Sequence, residues 1–86
     1  MQNLSNARAT PSQVRAARAF LGWSIPQLSA VADVSVRTIK YFESEQVEPA
    51  TKVSTVAKLT EALESAGIEF IGTPEDGPGI RLRARP

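Results

Sequence analysis

Apolar residues recur three or four positions apart through much of segment 10–66. They fall into three stretches: Val14, Ala17 and Leu21; Leu28, Val31 and Ala32; and Val56, Leu59, Leu63 and Ala66. This spacing places apolar side chains on one face of a helix. Gly22, Asp33 and Gly67 follow the three stretches, where a helix is expected to end and the chain to turn. The pattern therefore predicts three amphipathic helices.

Hydroxyl residues stand where helices are expected to begin: Thr10, Ser24, Ser35 and Thr51. Such residues cap a helix N-terminus by accepting a backbone hydrogen bond. Gln13 and Gln27 follow the first two caps at the spacing of a capping box, and a proline lies in each of these first turns. The caps predict four helices, which extend to about residues 21, 32, 44 and 66.

The third predicted helix, 35–44, has two different faces. At about 100° per residue, one face carries Thr38, Ile39, Phe42 and Glu43. The other face carries Val36, Arg37, Lys40 and Tyr41. An apolar inner face with two cations and a tyrosine outside suits a helix that enters a DNA major groove. Taken alone, Arg37 and Lys40 also fit an ordinary solvated helix face, and Tyr41 also fits the edge of the core.

The period changes after Gly67, where segments 68–71 and 80–83 predict two short strands separated by the turn-rich sequence GTPEDGPG. Two strands alone are marginally stable, so these must pack on the helices or pair with another chain. A hairpin within one chain is one interpretation. A dimer interface formed by strand exchange or edge pairing is the favoured one, with these interface residues: Ile68, Phe70, Ile71, Ile80 and Leu82.

These elements predict a mainly α fold, a compact four-helix bundle followed by a β-hairpin or strand pair. Residues 1–9 are polar and aperiodic and are expected to form a flexible arm. Residues 10–67 form the helical domain, and residues 68–86 form the strands with a basic tail. With 86 residues, the chain is expected to form one small domain with no separate sensor domain.

The composition excludes several classes of function. The chain contains no cysteine and no histidine, so disulfides, thiolate chemistry and the commonest metal ligands are excluded. No catalytic site, metal site or cofactor is predicted. Apolar runs are far shorter than the roughly 18 residues that predict a membrane span, and the N-terminus lacks the apolar core of a signal peptide. We expect a cytoplasmic protein without a membrane partner or a small-molecule ligand.

The net charge of +1 gives no argument for nucleic-acid binding, but the charges are unevenly distributed. Residues 1–42 carry five basic residues and one acidic residue, a net charge of +4. Residues 43–79 carry two basic and eight acidic residues, a net charge of −6, and the last seven residues add three arginines. A basic front half suggests one face suited to nucleic acid.

The order of helices resembles that of the Xre family, the helix-turn-helix proteins that include phage Cro and repressor. The resemblance is carried by RAARAFLGWS, by LSAVADVSVRTIKYFE, and by the loop with Pro49 before Thr51. It covers roughly residues 10–66, and a subgroup pattern continues through GIEF and GPGIRLR. The resemblance implies a phage-repressor-like fold whose third helix lies in the major groove.

Carried over by position, the resemblance assigns contacts to individual residues. Base contacts fall to Val36, Arg37, Lys40 and Tyr41. Phosphate contacts fall to Ser24, Gln27, Ser35, Thr38 and Arg15, although a solvated position is slightly preferred for Arg15. The family also pairs an arginine late in the first helix with a glutamate that ends the third helix, which predicts an ion pair between Arg18 and Glu43.

Two positions depart from the family pattern. Ile25 replaces the glutamine that clamps a phosphate at the start of the second helix, so this clamp either comes from backbone N–H groups or Gln27, or is missing. Asp33 replaces the glycine of the turn, and aspartate tolerates positive φ better than most residues.

The leading hypothesis is a sequence-specific regulator of transcription, a repressor that binds a palindromic operator in double-stranded DNA as a homodimer. A single short helix reads too few bases for specificity in a genome, which favours the dimer. The alternative is an antitoxin or phage-encoded adaptor that binds a regulatory protein partner through its C-terminal strands.

Overall fold

The computed structural model describes residues 9–46 and 48–83. These residues form four helices and a two-stranded antiparallel sheet, and most of the described residues are helical. The elements are α1 Pro11–Leu21, α2 Ile25–Ala32, α3 Val36–Glu43, α4 Val53–Ser65, β1 Ile68–Thr73 and β2 Asp76–Leu82. The prediction of four helices followed by a pair of strands is confirmed.

Capping boxes begin the first two helices, as predicted. Thr10 Oγ1 accepts the Gln13 backbone N–H at 3.2 Å, and Gln13 Oε1 accepts the Thr10 N–H at 2.9 Å. Ser24 and Gln27 make the same reciprocal pair at 3.1 and 2.7 Å. Gly22 ends α1 with φ of 72°, a conformation that glycine adopts without steric cost.

The predicted cap of α4 at Thr51 is wrong. Lys52 occupies the N-cap position, and its side chain makes no capping hydrogen bond. Thr51 lies one residue outside this position, so its hydroxyl is displaced from the first-turn amides that a cap must reach. The start of α4 therefore has no side-chain cap.

The core lies where the four helices and β1 meet. The deepest side chains come from all of these elements: Val14, Leu28, Ile39, Leu59, Leu63 and Ile68 are each at most 1% exposed. Trp23 and Ile25 are partly buried and pack against this core. Ala9 is also buried at 5% exposure, so the prediction that residue 9 belongs to a flexible arm is wrong. The rest of the predicted arm, 1–8, and the end of the tail, 84–86, lie outside the described residues.

The two strands pair within one chain. β1 and β2 form an antiparallel hairpin in which Ile68 lies opposite Leu82 and Phe70 opposite Ile80. Ile68 and Phe70 are 1% and 7% exposed in the chain's own core. Both side chains therefore pack in the chain's own core, and their role in a dimer interface stays a prediction.

The other three residues of the predicted interface are more accessible. Ile71 and Ile80 are partly buried, and Leu82 is 47% exposed. None of the helices in the described ranges is long and apolar enough to cross a membrane.

Gln13 joins the hairpin to α1. Its side chain is 6% exposed, and its amide nitrogen donates to the carbonyl oxygens of Ile71 at 3.1 Å and Gly79 at 2.8 Å. The amide oxygen of the same side chain completes the cap of α1. One buried amide thus links the start of the first helix to both strands.

We predict that Gln13→Ala lowers the free energy of unfolding by about 1–3 kcal/mol, because strand carbonyls lose their donor in a partly buried site. Urea denaturation measures this change. Gln27→Ala is the matched control, since Gln27 occupies the same position in an exposed capping box and touches no strand. Equal losses in the two variants would show that the strand contacts of Gln13 contribute nothing.

Candidate functional site

Helix α3 buries one face and exposes the other, as its sequence pattern predicts. Ile39, Phe42 and Glu43 are buried, with exposures of 0%, 8% and 7%. The α3 surface, defined as Val36, Arg37, Lys40 and Tyr41, lies outside the core. Its two cations are exposed, and Val36 and Tyr41 are partly buried.

The two cations of the α3 surface are available for a ligand. No ion pair within the described residues involves Arg37 or Lys40. The acidic residues at the end of the helix, in contrast, are paired with arginines of α1: Glu43 with Arg18 and Glu45 with Arg15. This pairing limits the negative charge near the two free cations, so the α3 surface favours an anionic partner.

A tight turn sets the direction of α3 relative to α2. Asp33 ends α2 in the left-handed conformation, with φ of 59° and ψ of 46°, and its N–H donates to Ser29 O at 2.9 Å. Val34 is buried at 9% exposure and anchors the turn. The prediction that aspartate adopts positive φ here is confirmed.

Ser35 caps α3, as predicted, and Thr38 completes the cap. Ser35 Oγ accepts the Thr38 N–H at 3.1 Å, and the two hydroxyls lie 2.9 Å apart. Ser35 is exposed, so the positive end of the α3 dipole faces solvent. Ser24 and Gln27 were also predicted to contact phosphate. Both are exposed, but their side chains already form the reciprocal hydrogen bonds of the capping box.

Ile25, the first residue of α2, serves the core. Its side chain is partly buried and packs against the hydrophobic cluster. The first position of α2 is thus used for packing, and any polar contact at this end of α2 must come from its neighbours.

A bidentate ion pair fixes α3 to α1. Arg18 Nε lies 2.9 Å from Glu43 Oε2, and Arg18 Nη2 lies 2.8 Å from Glu43 Oε1. The third nitrogen, Nη1, donates to the Trp23 carbonyl oxygen at 3.0 Å. The hydrogen bond to Glu43 raises the pKa of the Arg18 guanidinium above its ordinary value, against the opposing effect of burial. The predicted Arg18–Glu43 pair is confirmed.

Arg15 also contacts the end of α3 rather than projecting freely. Its guanidinium donates to the Glu43 carbonyl oxygen, to Ser12 Oγ at 3.1 Å and to Glu45 Oε2 at 2.8 Å. A phosphate contact by Arg15 must therefore compete with Glu45. The structure gives this side chain a structural role at the C-terminus of α3.

Tyr41 ties α3 to the loop before α4. Its hydroxyl donates to the Pro49 carbonyl oxygen at 2.6 Å. Partial burial, with a smaller effect of the nearby Glu48 carboxylate, raises the pKa of Tyr41 above its usual value. The phenol therefore stays protonated at neutral pH and holds the loop against the helix.

Beside Tyr41 an open groove of about 370 Å³ separates α3 from the start of α4. Arg37 and Thr38 line one side, and Thr51, Lys52 and Thr55 line the other. Neither Lys52 nor Thr55 was predicted from the sequence to belong to the site. The signal in the sequence was a lysine directly before a helix, but only the fold brings this residue opposite Arg37.

No group of acidic, cysteine or histidine side chains in the described part of the chain is arranged to hold a metal ion. The functional features on this side of the molecule are cations, hydroxyl groups and the capped N-terminus of α3. Such a set is suited to bind anions by hydrogen bonds and charge.

We predict that Asp33→Ala lowers the free energy of unfolding by about 1 kcal/mol, because alanine lacks the local hydrogen bonding that helps aspartate tolerate positive φ. Asp33→Gly is expected to preserve or slightly raise stability, since glycine adopts this conformation freely. Chemical denaturation of both variants tests the turn. Equal stabilities for alanine and glycine would contradict a left-handed residue at this position.

We predict that Arg18→Ala lowers the free energy of unfolding by about 3 kcal/mol, because it leaves the Glu43 carboxylate buried without its cation. Replacing both partners, as Arg18→Met with Glu43→Leu, should recover part of this loss. Arg81→Ala removes an exposed partner of Glu69 and should change stability little. Thermal and urea unfolding measure all three variants, and a double variant no more stable than Arg18→Ala would count against a buried pair.

A scan against models of known protein families found no match to this chain, and a search of curated proteins also found none. The residues and geometry described above are therefore the basis for assigning a function.

Proposed function

We propose that this protein is a sequence-specific regulator that binds double-stranded DNA through a helix-turn-helix formed by α2, the turn at Asp33 and α3. The observation that carries the proposal is the division of α3 into two faces. Glu43 is locked inside by Arg18, while Arg37 and Lys40 stand free on the outside. Unpaired cations on a short, rigidly held helix fit the major groove of DNA.

In this proposal, the α3 surface reads base edges. Arg37 is suited to donate two hydrogen bonds to guanine O6 and N7, and Val36 to contact a thymine methyl group. Lys40 contacts a guanine or a phosphate. Tyr41 approaches the sugar-phosphate backbone through its ring, while its hydroxyl proton remains bonded to Pro49.

Phosphate contacts in this proposal surround the base-reading helix. Ser35 and Thr38 stand at the exposed N-terminus of α3, where backbone N–H groups and the helix dipole favour an anion. Lys52 faces Arg37 across the groove between α3 and α4, which supports a second cationic contact with the backbone. Ser24 and Gln27 contribute side-chain phosphate contacts only if DNA binding breaks the hydrogen bonds between them in the capping box.

The regulator is proposed to act as a homodimer on a palindromic operator. A single helix of this length contacts few base pairs, so specificity needs a second half-site about 34 Å away. Occupancy of a promoter by such a dimer excludes polymerase, which makes repression the simplest outcome. Selection of binding sites from random DNA by the purified protein, followed by footprinting, tests both specificity and two-fold symmetry.

We predict that Arg37→Ala weakens binding to the selected site about 10–100-fold and relaxes base preference at one position, because the bidentate contact is lost. Lys58→Ala is the matched control, since Lys58 is an exposed cation on α4 outside the α3 surface. This control should bind nearly as tightly as the unaltered protein. Fluorescence anisotropy at several salt concentrations measures affinity and the number of phosphate contacts.

Two results would contradict the proposal. One is failure of the folded protein to enrich any DNA sequence. The other is equal affinity of the Arg37→Ala and Lys58→Ala variants for every DNA tested. If, in addition, function in cells survives Arg37→Ala but requires the C-terminal strands, the adaptor alternative replaces the regulator.

A further inference from the structure

Strand β2 has one edge that no described strand covers. The sheet contains only β1 and β2, so the side of β2 away from β1 is open within the described residues. The Arg83 N–H points toward β1, because it donates to the Gly67 carbonyl oxygen at 2.7 Å. Backbone groups alternate in direction along a strand, so Ile80 and Leu82 direct their N–H and C=O groups outward. Such an edge is a template for another strand.

Pro78 restricts which strand fits this edge. It lies on the same outward side as Ile80 and Leu82, and it has no N–H to donate. A residue opposite Pro78 in a partner strand can therefore donate its N–H to the Pro78 carbonyl oxygen, but its own carbonyl oxygen receives no hydrogen bond from Pro78.

The charges along β2 favour a second copy of the same strand. The strand begins with Asp76, and Arg83 directly follows its last residue, Leu82. An antiparallel copy places the basic end of each strand beside the acidic start of the other. A parallel copy places like charges together, which is destabilising.

The exposed side chain of Leu82 and a nearby crevice also fit an association of two copies. Leu82 is 47% exposed and lies on the face of β2 that it shares with Ile80, toward the helices. On the same face, at the other end of the strand, a crevice of about 200 Å³ separates Pro78 and Ile80 from Gln13 and Ala16 of α1. The projecting leucine and the crevice stand at opposite ends of one short edge.

We propose that two copies of this chain associate through an antiparallel β2–β2 edge centred on Ile80, with Leu82 of each copy seated in the crevice of the other. In this register, Leu82 lies opposite Pro78 of the second copy and donates its N–H to the Pro78 carbonyl. Ile80 exchanges hydrogen bonds with Ile80 of the second copy. The interface is isologous, as a two-fold dimer requires.

The neighbouring register explains why the centre is Ile80. A two-fold centred on Arg81 places two arginines directly opposite each other, whereas a two-fold centred on Ile80 places Arg81 opposite Gly79. Gly79 has no side chain, which leaves room for Arg81 of the second copy on the outer face of the sheet. Gly79 therefore fits the proposed register, because it places neither a second charge nor a side chain opposite Arg81.

This interface supplies the homodimer that the proposed function needs, so the inference rests on the proposed function. The association itself is measured without DNA, so the two proposals can fail separately. Loss of DNA binding with an intact dimer counts only against the regulator. A monomer that still binds an operator half-site counts only against the interface.

Sedimentation velocity of the full chain without DNA is the first experiment. We expect a concentration-dependent dimer whose dissociation constant rises about 100-fold in Leu82→Ser, because each of two seated leucines contributes roughly a factor of ten. Val53→Ser is the matched control: Val53 is 72% exposed on α4, so removing it should leave the dimer unchanged. Circular dichroism confirms that both variants remain folded.

Crosslinking tests the register directly, since the chain contains no cysteine. Ile80→Cys places one thiol opposite its own copy at about 5.5 Å between Cα atoms, within the range a disulfide spans. We expect rapid formation of a disulfide-linked dimer under mild oxidation, and none with Val53→Cys. An unaltered chain that remains monomeric, or a dimer that Leu82→Ser does not weaken and Ile80→Cys does not crosslink, overturns the proposal.

Discussion

The geometry of this small protein depends on the bidentate ion pair between Arg18 and Glu43. Glu43 ends the helix that carries the exposed cations, and Arg18 belongs to α1, which packs against α3, α4 and β2. Because the guanidinium also binds the Trp23 carbonyl oxygen, it fixes the end of α1, the connection to α2 and the end of α3 together. A fork of planar donors suits this task, since a lysine ammonium cannot satisfy three acceptors in one plane.

Around this pair, some of the charged residues that the structure describes form ion pairs within the fold and others remain unpaired on the surface. Glu43 and Glu45 are held by arginines of α1, and Glu69 is held by Arg81 on the hairpin. The hydrogen bond from Arg81 lowers the pKa of Glu69, so that carboxylate remains charged and paired well below neutral pH. Arg37 and Lys40 take no part in these pairs. A chain of nearly zero net charge thereby keeps one surface cationic without a general excess of basic residues.

The sequence predicted local structure well because each feature depended on a few neighbouring residues. Capping boxes and the two faces of α3 follow from spacing alone, whereas the positive φ of Asp33 was implied by the resemblance to the Xre family. Thr51 failed as a cap because the start of α4 shifted by one residue, which propensity does not resolve. The burial of Ile68 and Phe70 in the chain's own core was not predicted, because an alternating pattern shows that one face is buried but not which surface buries it. The opposition of Arg37 and Lys52 across a groove required the fold itself.

The hydrogen bonds of Gln13 join residues that are synthesised at different times, because its partners lie at different distances along the sequence. Its contact with Gly79 spans 66 residues, whereas its contact with Thr10 spans three. During synthesis the helices can form and cap themselves before the second strand has left the ribosome. Only when residue 79 emerges can the amide of Gln13 find its last acceptor, and joining residues so far apart costs conformational entropy. Completion of the fold, and with it the open edge of β2, therefore waits until the second strand has been synthesised.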